Sequence, residues 1–136
     1  MRPFFALPIL VIAACVQTPA ETAASAQREA ADADRLATTL AGFTPGQPQT
    51  CLPLTGTRQA QTEAYGRTIL YRYSRGLIYR SDTSGGCERI ARGDALVTRQ
   101  VGGQLCAGDI ATTFDAVARI QTGSCSFGPF IAYRRP

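Results

Sequence analysis

The residues of this chain best able to do chemistry are its five cysteines, Cys15, Cys51, Cys87, Cys106 and Cys125. Their spacing narrows what that chemistry is. No two lie close enough for a zinc knuckle, and no CxxC redox pair occurs. Five cannot all pair within one molecule, so one has a role of its own. The remaining inventory is short: all 14 basic residues are arginine, and His, Lys and Asn are absent. Without His there is no Ser-His or Cys-His catalytic pair and no imidazole metal ligand. Lack of Lys removes Schiff-base chemistry, and lack of Asn removes N-glycosylation. No cofactor or metal is expected.

The carboxylates from Cys51 onward are Glu63, Asp82, Glu88, Asp94, Asp109 and Asp115. A pair such as Asp94 and Asp109 could serve as acid and base across a cleft, as in glycoside hydrolysis. Turn and ion-pair roles are commoner for such residues. "VGGQLCAGD" is Gly-rich but lacks the Lys-Ser/Thr of a phosphate-binding loop, and a hairpin turn explains it better. Arg72, Arg75 and Arg80 are interleaved with Tyr71, Tyr73 and Tyr79. Tyr71, Arg72, Tyr79 and Arg80 are therefore a candidate patch for anionic or planar ligands, through bidentate and cation–π contacts. The plainer alternative is Arg decorating the solvent face of a hairpin.

Those residues need elements to hold them, and the chain changes texture twice. Arg2 is followed by an apolar run from Phe4 to Ala14, eleven residues long. That is the length of a signal-peptide core and too short to span a bilayer. It ends in Ile12-Ala13-Ala14-Cys15, which resembles the bacterial lipobox: an aliphatic residue, two small ones and an obligatory Cys. The resemblance implies a signal peptide at 1–14, with Cys15 lipidated and left as the first mature residue. Val16 follows where an inner-membrane retention signal would have Asp, which points to the outer membrane. The other processing route is cleavage after Thr18-Pro19-Ala20 with release of the chain. Either route leaves four cysteines in an oxidising compartment, an even number that reads as two disulfides.

Residues 15–50 read as a tether. "ETAASAQREAADADRLATTLAGF" is rich in helix formers, with Leu36, Leu40 and Phe43 at helical spacing and Gly42 as a stop. A helix of about five turns is expected, then an extended link where "TPGQPQT" breaks regular structure. The helix is either a solvated spacer or packs on a partner or on the domain itself.

From Cys51 to residue 136, short apolar runs punctuated by Gly argue for strands. "LPLTGTR" is the first. "RTILYRYSRGLIYRSD" predicts a hairpin around Ser74-Arg75-Gly76, with Gly76 left-handed, Tyr73 opposite Leu77 and Tyr71 opposite Tyr79. "ALVTRQVGGQLC" suggests a second hairpin about Gly102-Gly103, and "DIATTF" and "CSFGPFIAY" supply further strands. The expected fold is mainly β: a small antiparallel barrel or rolled sheet of about six strands, stapled by two disulfides. Three pairings are open. Sequential hairpin neighbours favour Cys51–Cys87 with Cys106–Cys125.

The order Cys-Leu-x-Leu at 51–54, "TILYRY", "GLIYR", "GC" at 86–87, "QLCAGDI" and "GSCSFGPF" resembles an uncharacterised family of small four-cysteine bacterial envelope proteins. The likeness covers residues 51 to about 131. It rests on the cysteine framework with its Leu-Cys-x-x-Asp and Gly-x-Cys-x-Phe-Gly flanks. It departs in the 83–95 loop, which lacks the Pro usual near the second Cys. The resemblance implies secretion and a compact disulfide-bonded fold, and brings no catalytic residues with it.

The expected function is a non-enzymatic envelope lipoprotein, a binding or structural module at the periplasmic face of the outer membrane. Its expected partners are the membrane, through the lipid, and an anionic envelope component or a protein; nucleic acid is not among them. One alternative is an inhibitor of a cell-wall hydrolase or protease. Eleven Arg against six acids give the 51–136 segment a charge of +5, which would repel it from cationic lysozymes. The other alternative is a cell-wall hydrolase using the Asp pair.

Overall fold

The computed structural model describes residues 18–53, 60–100 and 102–136. The expected signal sequence at 1–14, the expected lipidation site Cys15 and most of the expected first strand lie outside the described residues.

Among the described residues seven strands form one antiparallel sheet: β1 (Thr44–Gln49), β2 (Gln61–Tyr65), β3 (Thr68–Ser74), β4 (Leu77–Thr83), β5 (Ala95–Thr98), β6 (Ile110–Asp115) and β7 (Ile120–Arg134). The order is β2-β3-β4-β7-β6-β5. The long strand β7 makes this possible. Its first half pairs β6, while its second half pairs β4 along one edge and β1 along the other. The end strands β2 and β5 do not pair, so the sheet rolls into an open half-barrel. β7 changes partners at Gly128-Pro129, where the register with β4 shifts. There Ser81 donates to the Gly128 carbonyl at 3.0 Å.

Helix α1 runs from Pro19 to Leu40. Its start is written locally. The Thr18 hydroxyl accepts the Glu21 N–H, the Glu21 carboxylate accepts the Thr18 N–H, and Pro19 stands where a missing N–H costs nothing. It stops just before Gly42, whose φ of 76° only glycine adopts freely. Asp32, Leu36, Thr39 and Leu40 form a half-buried stripe. That stripe lies over the outer face of the sheet, where Asp32 and Leu36 share a depression with Arg80. Thr39 Oγ1 is 2.9 Å from the Tyr65 hydroxyl, and the Arg35 guanidinium lies 5.3 Å from the centre of the Tyr65 ring. At the other end Arg135 donates to the Ala41 carbonyl at 3.0 Å and stacks over Phe43. The helix therefore packs on the domain along one stripe, with no residue fully buried.

Several local expectations are corrected. Thr44–Gln49, expected as an irregular link, is strand β1, so the sheet begins before Cys51. Its prolines flank a register shift, which lets the strand tolerate their missing N–H groups. In the β3–β4 hairpin Tyr71 does face Tyr79, but Ser74 opposes Leu77 across a two-residue turn, with a bulge before it. Gly76 is not left-handed. The hairpin about Gly102-Gly103 does not form: β5 pairs with β6, and Gln104 to Ala107 turn back instead toward Thr50 to Leu52.

That return decides the disulfides, which are Cys51–Cys106 and Cys87–Cys125 rather than the pairing of sequential neighbours. Leu52 N–H to Leu105 O at 2.8 Å and Ala107 N–H to Thr50 O at 2.7 Å flank the first bridge like rungs. The second joins the loop after β4 to β7, strands that are adjacent in space with β5 and β6 between them in sequence. Around the two bridges sits the core of Leu52, Ile69, Tyr71, Tyr79, Leu105, Phe127 and Phe130.

Candidate functional site

The four residues of the proposed ligand patch do not share a surface. Strand alternation sends Tyr71 and Tyr79 inward, where they are 5% and 4% exposed, and sends Arg72 and Arg80 outward. Each arginine is already paired. Arg72 Nε donates to Glu63 at 2.9 Å, and Arg80 Nε donates to Asp82 at 3.0 Å. The hydrogen bond from Arg72 holds the Glu63 carboxyl below its ordinary range, against a smaller opposing push from burial. For Asp82 burial pushes upward, but hydrogen bonds from Arg80 and Thr68 prevail and the carboxyl is lowered. These pairs brace the outer face of the sheet beside α1.

The carboxylates proposed as acid and base are also kept apart. Ala95 opposes Phe114 and the Arg99 N–H bonds Ile110 O, so Asp94 and Asp109 stand at opposite ends of the β5–β6 ladder. Six residue steps separate those levels, about 20 Å, whereas glycosidase pairs sit within about 10 Å. Each is occupied locally. Asp109 accepts the Cys106 N–H at 2.8 Å and closes the turn that the Leu-Cys-x-x-Asp pattern encodes. The Asp94 side chain is only 7% exposed and accepts from Arg89 at 2.9 Å and from the Thr122 hydroxyl. Those bonds, Thr122's first and then Arg89's, lower its pKa. The group fastens the start of β5 to β7.

Among the described residues no cluster of His, Cys, Asp or Glu is arranged to hold a metal ion. No described helix is long and apolar enough to cross a membrane.

What the sequence did not single out is the outer face of β5 and β6. Alternation there turns Leu96, Ala111 and Thr113 inward and leaves Ala95, Val97 and Arg99 on β5 beside Phe114, Thr112 and Ile110 on β6. Val97 is 49% exposed and Ile110 52%. Arg99, Ile110, Thr112, Phe114 and Gln121 line a shallow depression of about 370 Å³. Arg99 makes no ion pair among the described residues. A second depression, of about 390 Å³, lies between α1 and the 3-10 segment Glu88–Arg92. Arg28, Arg35 and Arg92 there face Glu29, Asp32 and Glu88, so opposite charges largely cancel. The β5–β6 face is the more distinctive surface, being apolar with an unneutralised cation at its rim. In sequence it was hidden because both faces of "ALVT" and "DIATTF" carry apolar side chains.

No family model, curated protein or solved structure matches the chain.

Proposed function

We propose that the chain is a non-enzymatic lipoprotein of the bacterial envelope, held by a lipid on Cys15 at the periplasmic face of the outer membrane. Its half-barrel serves there as a binding or structural module. One observation carries this reading. The two disulfides use all four cysteines of the folded domain, leaving Cys15, at the end of an apolar eleven-residue run, as the odd thiol. Disulfides of this kind persist outside the reducing cytoplasm. A multi-chain lipid anchor at Cys15 would be effectively permanent, since each buried methylene contributes about 0.8 kcal/mol. Helix α1 follows Cys15 closely and is clasped to the sheet at Tyr65 and Arg135, which would hold the domain near the membrane.

The binding-module reading also draws on the ionisable groups. Glu63, Asp82 and Asp94 are each paired with arginine, while an apolar strand face stands open. The test is intact mass and fractionation of the expressed chain. A mature species beginning at Cys15 and carrying a diacylglyceryl mass is expected in the membrane pellet, and Cys15→Ser should release it. A mature species beginning at Glu21 without lipid would overturn the reading.

A further inference from the structure

We infer that the free edge of β5 is a docking site for an extended, acidic segment of a partner protein, which adds to the sheet as an eighth strand. This deepens the binding-module reading and rests on it.

Backbone geometry supplies the first part. In an antiparallel ladder, alternate residues direct their N–H and C=O groups to the same neighbour. The Arg99 N–H bonds Ile110 O, so residues 95, 97 and 99 face β6 and residues 96 and 98 face away. β5 ends the sheet, and among the described residues nothing pairs with the outward groups of Leu96 and Thr98. The opposite end strand, β2, differs: the 3-10 segment lies against it, and α1 reaches it through Tyr65. An exposed edge of this kind is a ready template for strand addition.

Side chains supply the second part. A strand added beside β5 would set its outward residues opposite Ala95, Val97 and Arg99, on the face where Val97 and Ile110 are half exposed. The first two positions call for apolar residues and the third for an acid. Charge favours an acidic guest over a second copy of this chain. Arg99 stands at the rim with no ion pair among the described residues, while Arg89 is already faced by Asp94 and Asp115. A second copy would bring its own charge of +5 on the 51–136 segment toward the same rim.

The probe is a dye-labelled peptide containing Glu-Thr-Val-Thr-Val, which in antiparallel register sets Glu opposite Arg99 and Val opposite Val97 and Ala95. Its binding to the full chain in detergent is followed by anisotropy. Saturable binding is expected, weakened at least tenfold by Arg99→Glu and restored when the peptide's Glu is replaced by Arg. N-methylation of the two Thr amides, which face β5, should abolish binding; N-methylation of the central Val amide should not. Thr98→Pro removes an outward N–H that no described residue accepts, and should have the same effect as methylating the Thr amides.

Absence of binding, or indifference to the position of the methyl group, overturns the proposal. So does Val97-dependent self-association seen by sedimentation, or binding to anionic vesicles in place of peptide; in those two cases the module reading survives. A failed lipidation test at Cys15 removes the envelope anchor without touching the peptide result.

Discussion

Gly86 and Gly123 cross backbone on backbone beside the Cys87–Cys125 disulfide. A Cβ built on Gly123 would fall on the Gly86 carbonyl, and one on Gly86 would fall on the Ser124 carbonyl. Gly86 also has a φ of 99°, a conformation costly to any residue with a side chain. The expected consequence is that Gly123→Ala and Gly86→Ala each destabilise the fold by about 3 kcal/mol or more, through steric conflict rather than lost contacts. Urea unfolding of each variant measures this, and a loss below 1 kcal/mol would mean the crossing is looser than described.

The bridges themselves give a second prediction. They close segments of 55 and 38 residues, for which loop-closure entropy gives about 4 kcal/mol each. Non-reducing peptide mapping should find Cys51 joined to Cys106 and Cys87 to Cys125. Paired Cys→Ala replacement at 87 and 125 should lower stability by about that amount. Recovery of a Cys51–Cys87 peptide would contradict the fold.

A third concerns the core. The Tyr71 ring packs against Phe127 and Phe130, and its buried hydroxyl has no hydrogen-bond partner among the described residues. Burial raises its pKa strongly, so it stays neutral. An unpaired buried hydroxyl costs about 1–3 kcal/mol. Tyr71→Phe should therefore leave the thermal midpoint unchanged or raise it, whereas Tyr71→Ala should lower it by the 3–5 kcal/mol typical of an emptied aromatic site. A clear loss in the Phe variant would show that the hydroxyl is satisfied in solution.

Acid sensitivity supplies the fourth. Glu63 and Asp82 titrate lower in the fold than free carboxyls do. Between the two values the unfolded chain binds more protons, so stability rises with pH there. The contribution is complete above the ordinary carboxylate range and is lost as pH falls through the folded values. Both pairs are partly exposed, which holds each to about 1 kcal/mol or less. Urea midpoints should be flat from about pH 7 to 5 and fall below that, with Glu63→Gln flattening part of the slope. An unchanged slope in that variant would remove Glu63 from the account.

Much of the architecture was legible because it is written locally. The helix carries its own stop at Gly42, and Tyr71 opposite Tyr79 follows from alternation about a short turn. What failed was non-local. Cys51 meets Cys106 only because residues 104–107 turn back to pair with 50–52, and no short-range pattern announces such a return. Pro45 and Pro48 argued against a strand, yet an edge position with a register shift accommodates both. The four patch residues are split by face: the alternation that paired Tyr71 with Tyr79 also placed Arg72 and Arg80 on the other side. The β5–β6 surface was missed because Val97 and Leu96 are equally apolar, and only the completed sheet decides which of them meets solvent.

Strand β7 ties β4, β6 and β1 into one sheet, and it is the last element in chain order. Every earlier hairpin therefore waits for it: β3 and β4 can meet as neighbours, but neither they nor β5 and β6 gain a common core until residues 120–134 arrive. Cutting the chain before residue 120 would therefore leave two hairpins with no shared interior to bury their apolar faces.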